Sequence, residues 1–137
     1  MTKLSREKIF EILNEAKVIA VVGHSDKPYR TSYAIANYLQ RVGYKVYPVN
    51  PLLEEIEGEK VYPTVSSIPE KVDIVNIFRR SEHLDGIADD AIQAGAKVFW
   101  SQLGVFDKEA GEKAEEAGLD VIMNRCIEVV HKSYNFA

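Results

Sequence analysis

Two adjacent arginines, Arg79 and Arg80, follow the apolar run VDIVNIF. Neighbouring guanidinium groups at such a place can grip phosphate through paired N–H donors, or stand as a solvated surface pair. A second segment, GHSDKPYRTS at 23–32, opens on Gly23 and sets Ser25, Arg30, Thr31 and Ser32 around the start of a helical pattern. Amides at a helix N-terminus point at an anion. The segment is therefore either a phosphate cradle or an ordinary polar loop in which Ser or Thr caps the helix. It lacks the G-x-G-x-x-G pattern, and Val49, Asn50 and Pro51 stand where a NAD site needs an acidic residue about 20 positions beyond its glycines. NAD is thereby disfavoured, and Asn50-Pro51 also reads simply as a turn. Gln102 and Gly104, after KVFWS, suit a wall that lets backbone approach a ligand closely, whereas Trp100 reads as core.

Catalytic constellations are hard to assemble from the remaining residues. His24 and Ser25 are neighbours, but no G-x-S-x-G elbow surrounds them, and adjacency alone does not place imidazole on hydroxyl. Cys126 near the last strand could meet a thiol or disulfide, or be a small buried hydrophobe. His83 and His131 read as surface residues, the clusters Glu54/Glu55/Glu57 and Glu115/Glu116 as solvated faces, and no Cys/His group has zinc spacing.

The elements that must position these residues alternate. Ile9, Ile12, Leu13 and Ala16 recur at helical spacing, and KVIAVVG is a continuous β-branched run of the kind buried on both faces of a parallel sheet. A helix from Thr31 to Val42 stops at Gly43, and YKVYPVNP is the next strand. Gly58 followed by EKVY suggests a short charged edge strand. VDIVNIF, KVFW and LDVIM complete the strands. Ser81 and Asp107 are expected to cap the helices between them, and a short helix through Ile127 and Val130 ends the chain. Such alternation predicts a single α/β domain over 1–137, Rossmann-like and doubly wound, with a mostly parallel sheet of about five or six strands and helices on both faces. With strand order 3-2-1-4-5-6, the first strand lies beside VDIVNIF, and ligands belong in the crevice at their C-terminal ends.

The chain has 137 residues, enough for one domain to bury a core without disulfides. Its 17 basic and 21 acidic residues leave a net charge of −4, which excludes a broad basic surface for nucleic acid. Arg30, Arg79, Arg80 and Arg125 nevertheless follow strand ends, pointing to one local anion site. The N-terminal MTKLSREKIFEILNEAK has no apolar signal region, and no run is long enough to span a bilayer, so the cytoplasm is the expected location.

The segments VIAVVGHSDKPYRTSYAIANYLQRVGYKVYPVNP, VDIVNIFRRSEHL, AKVFWSQLGV and AGLDVIMNRC resemble the small stand-alone CoA-binding proteins, which are similar to the CoA-binding domain of the succinyl-CoA synthetase α subunit. The resemblance runs from about Val18 to Cys126. It implies a Rossmann-like domain that holds coenzyme A, or an acyl-CoA, across the strand C-termini. Gly23, His24, Ser25, Arg30, Thr31 and Ser32 would line the phosphate side. Val49, Asn50 and Pro51 would flank the adenosine end, with Phe78, Arg79 and Arg80 opposite, and Ser101, Gln102 and Gly104 would wall the pantetheine arm. The chain departs from the family at Thr31, where a proline is common, and at His24, where a small residue is common. The synthetase's phosphohistidine lies in a second domain, so a binding module without ligase activity is expected. The rival readings are a NAD-type sensing domain and a CoA-dependent acyl or thiol exchange enzyme using Cys126 or His24.

Overall fold

The computed structural model describes residues 3–136. Its strands are β1 (Val18–Val22), β2 (Lys45–Val49), β3 (Glu55–Ile56), β4 (Glu59–Lys60), β5 (Ile74–Ile77), β6 (Val98–Ser101) and β7 (Asp120–Ile122). Its helices are α1 (Arg6–Glu15), α2 (Thr31–Arg41), α3 (Leu84–Gln93), α4 (Lys108–Glu116) and α5 (Ile127–Lys132). Five strands form one parallel sheet in the order β2-β1-β5-β6-β7. β1 does lie beside β5, so the expected crevice sits between them.

Alternation along β1 divides the core. Val18, Ala20 and Val22 face one layer, with Leu84, Ala88 and Ala91 of α3 and Ala110 and Ala114 of α4. Ile19 and Val21 face the other, with Leu13 of α1, Leu39 of α2 and Ile127 of α5. Every β1 residue is buried, as its unbroken apolar run requires. Trp100 is fully buried in the second layer, and its indole N–H donates to the Arg125 carbonyl at 2.9 Å.

The free edge departs from expectation. The stretch read as a charged edge strand forms a separate antiparallel hairpin, β3–β4, and among the described residues only Tyr62 bridges to the outer side of β2. Tyr62 donates to the Pro48 carbonyl and accepts from the Asn50 N–H, so Pro48 places its missing N–H on the outer edge. Proline there discourages pairing with another chain. The hairpin itself turns through Glu57 and Gly58, with φ of 51° and 83°, the signature of a type I′ turn. Its sequence hides this, because Glu replaces the usual Asn or Asp at the first position.

Two further local expectations are corrected. Asp107 does cap α4, accepting from the Glu109 N–H, but Ser81 does not cap α3. It begins a 3-10 turn instead, and its hydroxyl accepts the Phe106 N–H at 2.9 Å, tying two loops together. His131 is no surface residue: it is half-buried, 2.6 Å from the Tyr38 hydroxyl and stacked on Phe136.

Candidate nucleotide site

Gly23 is the hinge of the site. It leaves β1 with φ of 86°, a conformation glycine adopts without strain, and donates its N–H to the Val49 carbonyl at 2.8 Å. A Cβ at this position would lie 3.1 Å from Cδ of Arg79. The arginine stem thus lies directly over the glycine, and the loops after β1 and β5 meet in the crevice. Arg79 is half-buried whereas Arg80 is exposed, so the adjacent arginines are not equivalent.

Beyond Gly23 the loop is self-bonded. The Ser25 N–H donates to Ser32 Oγ at 3.0 Å, and Ser25 Oγ accepts from the Lys27 N–H at 3.0 Å. Ser32 is buried by this bond. Arg30 occupies the N-cap of α2, and no side chain caps the helix. The Ser or Thr cap of the ordinary-loop alternative is not formed among the described residues, so first-turn N–H groups have no side-chain acceptor there.

His24 is 7% exposed, with its Nδ1 2.8 Å from the Ser25 carbonyl oxygen. Burial lowers its pKa, partly opposed by that bond and by the field of Glu57. The ring engages the carbonyl of Ser25 and not its hydroxyl, so the two do not form a nucleophile–base pair. Asn50 locks the neighbouring loop: its Nδ2 donates to the His24 carbonyl at 3.0 Å and its Oδ1 accepts from the Leu52 N–H at 2.9 Å. Both ends of the amide are therefore occupied where a NAD site would present a free carboxylate. Val49 is buried, and Pro51 is exposed at the mouth.

The ladder continues across the crevice. Phe78 donates its N–H to Val22, and Gln102 donates to Ile77, placing Gly23, Phe78 and Gln102 at one level on three adjacent strands. Ser101 offers no free hydroxyl, being fully buried, donating to the Val105 carbonyl at 2.6 Å and accepting from Asn124 N–H at 3.1 Å. Gly104 is exposed with φ of 88°. Asn124, which sequence reasoning missed, adopts φ of 61° and accepts the Gly104 N–H through Oδ1 at 2.6 Å. The only signal for it was the tolerance of asparagine for the left-handed region, in a segment otherwise read as the end of a strand.

Charge completes the picture. Among the described residues every ion pair is made by a lysine, and Arg30, Arg79, Arg80 and Arg125 have no carboxylate within 4.0 Å. A helix start without a side-chain cap and guanidinium groups without carboxylate partners are both groups of the kind that hold phosphate.

A family model described as "CoA binding domain" matches residues 17–132. The chain belongs to the CoA-binding domain family. The resemblance carried by the segments between Val18 and Cys126 therefore stands, and the family's Rossmann-like fold is the one observed. Within this family the chain is 44% identical over 131 residues to YneT of Bacillus subtilis, an uncharacterized protein, covering 96% of this chain and 97% of that one. It is 36% identical over 118 residues to the α subunit of acetate–CoA ligase (ADP-forming) I of Pyrococcus furiosus, covering 77% of this chain and 25% of the subunit. The chain thus spans about a quarter of that ligase subunit's length. A solved structure of a hypothetical protein from Pyrococcus horikoshii superposes with a TM-score of 0.92 at 44% identity, covering 96% of this chain and 92% of that one. No helix among the described residues is long and apolar enough to cross a membrane.

Proposed function

We propose that this chain is a single CoA-binding module, residues 1–137, which holds CoA or an acyl-CoA at the C-terminal ends of β1, β5 and β6 and performs no chemistry of its own. Arg79 lying over Gly23, with no carboxylate partner among the described residues, carries this reading. The pyrophosphate would sit between the first turn of α2 and Arg79, with Ser25, Arg30 and Thr31 as further donors. Asn50 and Pro51 would border the adenosine, with Phe78 opposite, and Gln102 and Gly104 would border the pantetheine arm. Val49 and Ser101 would contribute through backbone and loop shape, since their side chains are buried. The module's part is retention and presentation of the ligand in the cytoplasm.

Calorimetric titration with CoA, dephospho-CoA and NAD tests the proposal. CoA is expected to bind tightest. Tighter binding of NAD than of CoA would reject it, and steady hydrolysis of acyl-CoA by the purified chain would replace the binding role with an enzymatic one.

A further inference from the structure

A second cavity lies at the sheet edge, outside the crevice. A doubly wound sheet would place a full third strand against β2, but here Tyr62 supplies a single bridge and the β3–β4 hairpin lies apart. A cleft of about 500 Å³ remains between α2, β2 and the hairpin. That volume falls within the range of small-molecule sites, roughly 300–1,000 Å³. Its walls include Tyr33, Tyr47 and Tyr62, with His24, Glu57 and Lys60.

His24 gives the cleft an acceptor on its wall. Its Nδ1 faces a carbonyl oxygen, which can only accept, so that bond assigns the ring proton to Nδ1 and leaves a lone pair on Nε2. Among the described residues no donor reaches Nε2, which is not among the fully buried unpartnered atoms and so keeps solvent contact at the cleft wall although most of the residue is buried. Burial lowers the imidazole pKa and so favours the neutral, accepting form.

Glu57, the first position of the hairpin's type I′ turn with φ of 51°, also lines the cleft. Its carboxylate accepts from the Tyr33 hydroxyl at the cleft wall, while the residue stays exposed, as the solvated-face reading of its sequence cluster expects. Glu59, also on the lining, has no ion-pair partner among the described residues. The tyrosines already attract cations: Lys45 rests 5.2 Å from the Tyr47 ring centroid and Lys60 4.9 Å from that of Tyr62. Lys45 is held by Glu70 at 2.5 Å, whereas Lys60 has no carboxylate partner among the described residues and can yield its place.

We propose that this cleft binds a small planar organic cation, an amidinium or amino-substituted aromatic ring, with its ring against the tyrosines and its N–H donors on Glu57 and His24 Nε2. The cleft adjoins the crevice and shares His24 with its loops, but the inference does not rest on the CoA reading. The two are mechanically joined, because the His24 carbonyl is held by Asn50 and its ring by Ser25, both in the crevice loops.

The test is an NMR titration of the isotope-labelled full chain with benzamidine, using benzoate as an anion of the same shape. Benzamidine is expected to shift the resonances of His24, Tyr33 and Glu57, while benzoate leaves them in place. Glu57→Gln should weaken benzamidine binding at least tenfold, and Tyr33→Phe, which leaves the hairpin turn intact, should weaken it by a smaller factor. No shift at millimolar benzamidine, equal shifts with benzoate, or shifts confined to another face would overturn the proposal. A chain that takes benzamidine but not CoA would leave this inference standing while removing the CoA reading; the reverse result would do the opposite.

Discussion

The two ends of the parallel sheet treat charge in opposite ways. At the N-terminal end of the strands Asp73 accepts the N–H groups of Lys17 and Val18 at 2.8 and 2.9 Å and pairs with Lys97 at 3.4 Å. Burial alone would raise its pKa, but the two N–H bonds and the lysine outweigh burial and lower it. Lys8 and Asp120 stand 4.0 Å apart at the same end. At the C-terminal end, Arg30, Arg79, Arg80 and Arg125 have no such partners among the described residues, and α2 begins without a side-chain cap. The same strands thus carry a closed charge network at one end and an open one at the other. A closed network stabilises the fold. An open one leaves its donors for a ligand.

Substitutions that exchange these roles break the comparison most sharply. Arg79→Ala should weaken CoA binding by about 1.5–3 kcal/mol, roughly ten- to 150-fold by calorimetry, with little change in melting temperature. Asp73→Ala should do the reverse, lowering unfolding free energy in urea by about 1.5–3 kcal/mol, the range of one charged hydrogen bond, while CoA affinity holds. The Asp73 contribution is present above the unfolded carboxylate value, about 3.9, and disappears as pH falls through the lower folded value.

Histidines at the two ends sharpen the contrast less strongly. His24 at the crevice and His131 beside the C-terminal aromatic residues both have pKa values lowered by burial. The unfolded chain therefore binds more protons, and stability should rise with pH up to the unfolded histidine value, about 6.5, and level off above it. Urea titrations at several pH values should show part of this slope removed by His24→Gln and part by His131→Gln. Only His24→Gln should also alter CoA affinity. The smallest effect is expected from Arg80→Ala, a loss of two- to threefold in CoA affinity; a loss matching that of Arg79→Ala would make the exposed arginine an equal phosphate ligand.

Much of this arrangement was legible in the sequence because local and tertiary demands agree. VIAVV could only be a strand covered on both faces, Gly43 and Asp107 mark the end of α2 and the start of α4, and the arginines after VDIVNIF do stand just beyond a strand terminus. Residues whose roles depend on distant chain segments were not legible. Ser81 is engaged by Phe106, 25 positions away, and His131 by Tyr38, 93 positions away. The hairpin was obscured by glutamate in a left-handed position, where the compensating contact with Tyr33 lies on another element. Sequence also offered no means to distinguish Arg79 from Arg80. The difference arises from the close approach to Gly23, which only the folded crevice creates.

Amide chemical-shift mapping with CoA tests the contrast between the two ends most directly. The account predicts shifts in Gly23 to Ser32, at Asn50, from Phe78 to Arg80 and from Gln102 to Gly104, with Asp73, Lys97 and Asp120 unmoved. Shifts centred on Asp73, Lys97 and Asp120, with the arginine loop silent, would contradict it.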